Sequence, residues 1–88
     1  MTQSFRFSWH YVSDTSPGVP FDLEGAVTLR ADDRFDGAVD AYSDGRYIGR
    51  CEYSSIEAGD ASQAADQIRK RIERRIEDRV AREHAPAH

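Results

Sequence analysis

From Phe5 to Tyr53 the large apolar side chains fall mostly on odd-numbered positions. Successive side chains on a β-strand point to opposite faces, so parity held this long describes strands with one buried face. Phe5, Phe7, Trp9 and Tyr11 make the clearest run, against Arg6, Ser8, His10 and Val12 on the other parity. Residues 13–20 then read as a loop, because Pro17-Gly18 turns the chain and Pro20 biases Val19 toward extended geometry. Phe21, Leu23, Gly25, Val27, Leu29 and Ala31 share the face of a second strand, opposite Asp22, Glu24, Ala26, Thr28 and Arg30. Asp32, Asp33 and Arg34 interrupt the pattern, and residues 35–42 resume it. After Ser43-Asp44-Gly45, residues 46–54 read as a fourth strand, followed by a connector over residues 55–59.

Register in the last hairpin follows from burial. A two-residue Asp44-Gly45 loop would place Val39 opposite Arg50 and Ala41 opposite Ile48, turning Tyr47, Cys51 and Tyr53 away from the core. A three-residue loop with Gly45 left-handed pairs Tyr42 with Arg46 and turns Tyr47, Cys51 and Tyr53 inward. A slip of one residue inverts every side chain, so the three-residue loop is the expectation. It also places Asp36 opposite Glu52 on the outer face. Such a like-charge pair destabilises unless Arg34 and Arg50 neutralise it or a divalent cation bridges it.

The remainder is helical. Asp60 suits an N-cap, with Gln63 completing a capping box. No Gly or Pro follows until Pro86, which predicts a helix from Ala61 to about His84. Ala64, Ile68, Ile72, Ile76 and Val80 recur every four residues, a stripe that drifts about 40° per step. A helix of this length spans about 36 Å, against about 27 Å for eight-residue strands, so its end is expected to overhang the sheet. Two readings of the overhang stand: a frayed, solvated terminus, or a homodimer contact through Ile76, Val80 and Ala81. The predicted architecture is α+β, a four-stranded antiparallel β-meander with one long C-terminal helix on one face, as a single domain over residues 1–84 with a flexible tail at 85–88.

Composition narrows the function classes. Eighty-eight residues with a net charge of −4 make one small domain with little room for a deep cleft. Its single cysteine excludes an internal disulfide, and no run approaches the length of a spanning segment. The start of the chain lacks the pattern of a signal peptide, which with one thiol fits a cytoplasmic setting. Charge divides unevenly: residues 1–59 are acidic, whereas Arg69, Lys70, Arg71, Arg74 and Arg75 crowd one stretch of the helix. Basic helices bind phosphate backbones, but Asp66–Lys70, Arg74–Asp78 and Asp78–Arg82 stand at pairing distance along the helix and would neutralise part of the stretch.

Residues with catalytic chemistry are sparse. No phosphate-binding glycine loop occurs. His84 and His88 are separated by Pro86 and form no helical metal pair. His10 falls on the polar face of the first strand, with no Ser or Cys at a recognisable spacing. Cys51 falls on the inward face and reads as a small core hydrophobe. The chain is therefore expected not to be an enzyme and to need no cofactor and no metal. The outer face mixes Val12, Ala26, Ala38, Tyr42 and Ile48 with acids and arginines, a composition shared by interfaces and by ordinary one-sided sheets. The expectation is a non-enzymatic protein–protein interaction module, an inhibitor or regulator docking through Tyr42, Ile48, Asp40, Glu52 and Arg50. Small inhibitors encoded by phages and mobile elements offer an analogy of outline only. The alternative is nucleic-acid binding through Arg69, Lys70, Arg71, Arg74 and Arg75. A membrane partner is not expected.

Overall fold

The computed structural model describes residues 4–83; the expected tail at 85–88, with His84 and His88, lies outside them. Strands β1 (Ser4–Val12), β2 (Pro20–Leu29), β3 (Phe35–Ser43) and β4 (Arg46–Ile56) precede helix α1 (Ala61–Glu83). The strands form one antiparallel sheet in the order β1-β2-β3-β4. The helix lies across one face, which gives the expected α+β arrangement. Phe21, Leu23, Val27, Phe35, Val39 and Ile56 meet Ala64, Ile68, Ile72, Ile76 and Val80 in a single core. Phe7, Trp9, Tyr11, Cys51 and Tyr53 pack around its margin. Asp60 caps the helix as expected, its Oδ1 accepting from Gln63 N at 2.8 Å, but Gln63 does not close the expected capping box onto Asp60 N: its Oε1 accepts from Gly59 N, one residue earlier, at 2.9 Å.

The β3–β4 hairpin departs from the expected register. Ser43 pairs with Arg46 and Tyr42 with Tyr47, so the loop holds only Asp44 and Gly45. Both are left-handed, at φ 52° and 75°. This is the two-residue turn whose twist matches that of the flanking strands. Tyr47 consequently points to water and is 58% exposed. Parity is then repaired by a bulge, since Tyr42 faces Tyr47 but Ala41 faces Gly49, leaving Ile48 as the extra residue. Beyond it, Val39 opposes Cys51 and Gly37 opposes Tyr53. Cys51 and Tyr53 thus reach the core margin as expected, through a different turn.

A second irregularity lies between Phe35 and Gly37, where Ser54 and Ser55 stand against Asp36 alone. Ser55 is left-handed at φ 55°. The bulge carries β4 past its expected end and buries Ile56 opposite Phe35. Asp36 is spent on holding this bulge: its Oδ1 accepts from Ser55 N at 3.2 Å and from Arg30 Nη1 at 3.3 Å. Its expected pairing with Glu52 does not form, and Glu52 stands opposite Ala38 instead.

The helix does not overhang the apolar surface. Val80 is 1% exposed and Ile76 only 6%, so neither is free for the expected homodimer contact; of that trio only Ala81 is exposed. The reason is the β1–β2 loop, which extends the footprint of the sheet. Ser13 is buried there, its Oγ accepting from Val19 N at 2.8 Å and donating to Thr15 O at 3.1 Å. Glu77 of the helix clamps the same loop: its carboxylate accepts from Tyr11 Oη, from Asp14 N at 2.7 Å and from Thr15 N at 2.9 Å. These donors, Tyr11 foremost, hold the Glu77 carboxyl at about 2, below the usual carboxylate range, and donation to that carboxylate pushes the Tyr11 phenol upward.

Candidate functional site

Because one helix covers one face, the other face of the sheet is left open, and register decides which of its side chains meet. Even-numbered residues of β1, β2 and β3 fall into rows across it. One row runs His10, Asp22, Tyr42, Tyr47; the next runs Ser8, Glu24, Asp40, Arg50; a third runs Arg6, Ala26, Ala38, Glu52. The sheet thereby collects Tyr42, Asp40, Arg50 and Glu52 on one surface, and adds Tyr47, which the inferred turn had placed inside. It does not add Ile48. The bulge rotates that side chain to the helix side, where it borders a groove with Phe21, Ala41, Ile72 and Ile76.

Within the rows the contacts are specific. Tyr42 and Tyr47 meet edge to face with centroids 5.4 Å apart. Tyr47 Oη donates to Asp40 Oδ1 at 3.0 Å, and this bond to a carboxylate raises the Tyr47 phenol above its ordinary value. Arg50 lies 3.9 Å from Asp40 and 3.6 Å from Glu52. His10 Nδ1 lies 2.8 Å from Asp22 Oδ1. Glu24 and Asp40 are direct cross-strand neighbours, two acidic residues on one face of the sheet. Pairs of this kind destabilise a sheet by some tenths of a kcal/mol up to about 1. A shallow depression beside them is floored by Ala26 and Ala38, where the absence of large side chains flattens the surface.

The basic helix stretch is dispersed by helical geometry. Arg69 leans over the Trp9 ring at 5.7 Å and pairs with Asp66 at 3.4 Å on the β1 side. Arg71 lies over the Tyr53 ring at 5.7 Å on the β4 side. Arg75 and Arg79 border the groove that holds Ile48 and Cys51. The three expected helical ion pairs are not formed; Asp66 pairs with Arg69, and Arg79 pairs with Glu83 at 2.9 Å. Among the described residues, Lys70, Arg71, Arg74 and Arg75 are in no ion pair.

Among the described residues no three of His, Cys, Asp or Glu converge as a metal site, and no helix is long and apolar enough to cross a membrane. Two contacts escaped the sequence reading. The Tyr47–Asp40 bond depends on a turn of two residues, for which Asp44-Gly45 was the available signal. The Glu77 clamp joins positions 66 residues apart in sequence, and nothing local to Glu77 announces it. Comparison with protein-family models, curated proteins and solved structures finds no match to this chain.

Proposed function

We propose that this chain is a non-enzymatic protein-interaction module, an inhibitor or regulator in kind, that docks through the open face of its sheet. The observation that carries this reading is the row Glu24, Asp40, Arg50 beside the Tyr42–Tyr47 pair. Folding alone disfavours two carboxylates placed opposite each other. Arg50 and Tyr47 already answer Asp40 within the chain, so it is Glu24, in no ion pair among the described residues, that a partner's cation would meet. Exposed tyrosines next to such a centre supply stiff contact area that orders cheaply. Asp22, Glu24, Asp36, Asp40 and Glu52 outnumber Arg6, Arg30 and Arg50 on this face, so the partner surface is basic and nearly flat. Charge of this kind governs on-rate and choice of partner more than final affinity.

The test is affinity capture from the native host with three baits. Wild type and Arg74→Glu are expected to retain the same protein, whereas Tyr47→Ala combined with Asp40→Arg loses it. Equal recovery by all three baits would remove the sheet face as the docking surface.

A second reading, nucleic-acid binding through α1, is favoured by one observation: the absence of ion pairs at Lys70, Arg71, Arg74 and Arg75. Arg69 and Arg71 are held against aromatic rings on opposite flanks, which disperses the charge. A salt series with labelled DNA and RNA decides it, since phosphate contacts give affinity that falls steeply with salt. Lack of binding at low salt eliminates this reading.

A further inference from the structure

The two edges of the sheet are built differently. β4 is broken by bulges at Ile48 and near Ser55. β1 pairs with β2 in unbroken register over its whole length, from Ser4 to Val12. It contains neither proline nor lysine. Bulges, prolines and charged side chains are the usual devices that stop a free edge from accepting another strand; β1 has no bulge and no proline, and Arg6 is its one arginine or lysine.

The loop shows which backbone groups are free. Ser13 N donates to Val19 O at 2.9 Å. Antiparallel pairing alternates, so the odd-numbered residues of β1 turn their N–H and C=O toward β2. The backbone groups of Arg6, Ser8 and His10 therefore point away from the sheet. On the helix side of the same edge, Phe5, Phe7 and Trp9 stack along the strand with centroids 6.2 and 5.6 Å apart. Phe5 at the end of this ladder is 43% exposed.

We propose that a second copy of this chain pairs antiparallel along β1, with the twofold axis at Ser8. Ser8 is the midpoint of the strand, and its backbone is one of the outward-facing set. With Ser8 opposite its own copy, Phe7 stands opposite Trp9, Phe5 opposite Tyr11, and Arg6 opposite His10. Every pair on the helix side then joins one aromatic ring to another, the most favourable kind of cross-strand neighbour. On the open face, Arg6 of one copy reaches the His10–Asp22 pair of the other, so a cation meets a carboxylate at both ends of the seam. The exposed Phe5 ring is covered by Tyr11 of the second copy. About six backbone hydrogen bonds form between Arg6, Ser8 and His10 of the two chains. The interface is isologous and closed, which gives a dimer and not a fibre. It joins the two four-stranded sheets into one, with both helices on the same side and the two open faces continuous. The pairing stands or falls independently of what binds those open faces.

The experiment uses the full chain. Sedimentation equilibrium over a concentration series is expected to carry the mass from 10.0 kDa toward twice that value. Amide exchange at Arg6, Ser8 and His10 is expected to slow over the same range, whereas that of Phe7 and Trp9, already bonded to β2, changes little. Register is tested in a Cys51→Ser background. Ser8→Cys meets its own copy at a Cα separation of about 5.5 Å and oxidises to a covalent dimer. Arg6→Cys in the same background faces His10 and stays monomeric on oxidation. A monomer mass at every concentration overturns the dimer. Equal cross-linking of Ser8→Cys and Arg6→Cys overturns the axis.

Discussion

Gly37 offers the sharpest test of how the sheet and helix fit together. It lies on the core face between Val27 of β2 and Tyr53 of β4. A Cβ built there would fall well inside contact with Ile68 Cδ1, and would stand 3.1 Å from Val27 Cγ1 and 3.3 Å from Ala26 O. Ile68 is fully buried, so its terminal methyl has no open space to move into. Overpacking of this kind costs about 1–3 kcal/mol. Gly→Ala also restricts the unfolded chain, which returns about 0.4–1 kcal/mol. Gly37→Ala should therefore lose about 1–2 kcal/mol, or about 4–16 °C in Tm for a domain of this size. Ile68→Val removes the offending methyl and by itself costs about 0.5–1.5 kcal/mol. If the Cδ1 clash dominates, the double variant should be close in stability to Ile68→Val alone, with a coupling of about 1–2 kcal/mol. Urea unfolding of the four proteins measures this cycle. Additivity within about 0.5 kcal/mol, or a Gly37→Ala protein more stable than wild type, would refute the packing argument.

Other outcomes follow from the same contacts. Glu77 is held at about 2 when folded against an ordinary 4.5, so its clamp stabilises the fold above pH 4.5 and the contribution is lost as pH falls from there toward 2. Thermal melts across that window should fall more steeply in wild type than in Glu77→Gln, and identical slopes would contradict the clamp. Gly45→Ala places a β-carbon at φ 75° and should cost about 1–2 kcal/mol in a urea melt, whereas Asp44→Asn, a residue equally suited to φ 52°, should be neutral. Asp60→Ala removes the acceptor for Gln63 N and should cost about 1 kcal/mol, read from the same unfolding curves.

Much of the fold was legible because it rests on local periodicity. The odd-numbered parity of Phe7, Trp9, Phe21, Leu23, Val27 and Val39 marked the buried face of three strands, and each of these residues lies in or against the core. The four-residue spacing from Ala64 to Val80 marked the helix stripe, all of it buried. Asp60 and Gln63 announced the cap, because a cap is made within four residues. Of the open face, Tyr42, Asp40, Arg50 and Glu52 were placed correctly on the surface, while Tyr47 and Ile48 were exchanged.

That exchange shows where sequence ends. Periodicity states that Cys51 and Tyr53 face inward, but it does not state how many residues the turn and bulges consume on the way. A three-residue turn, or a two-residue turn followed by a bulge at Ile48, satisfies the same parity. Only pairing with β3 and packing on α1 choose between them. The bulge at Ser55 and the Glu77 clamp are of the same kind, each held by groups distant in sequence: Asp36 and Arg30 in one case, Tyr11, Asp14 and Thr15 in the other. Sequence determined which residues avoid water, since hydrophobic burial follows side-chain type and spacing. Tertiary structure decided which polar residues share a surface, since hydrogen bonds and charges act only between groups that the folded chain has already brought together.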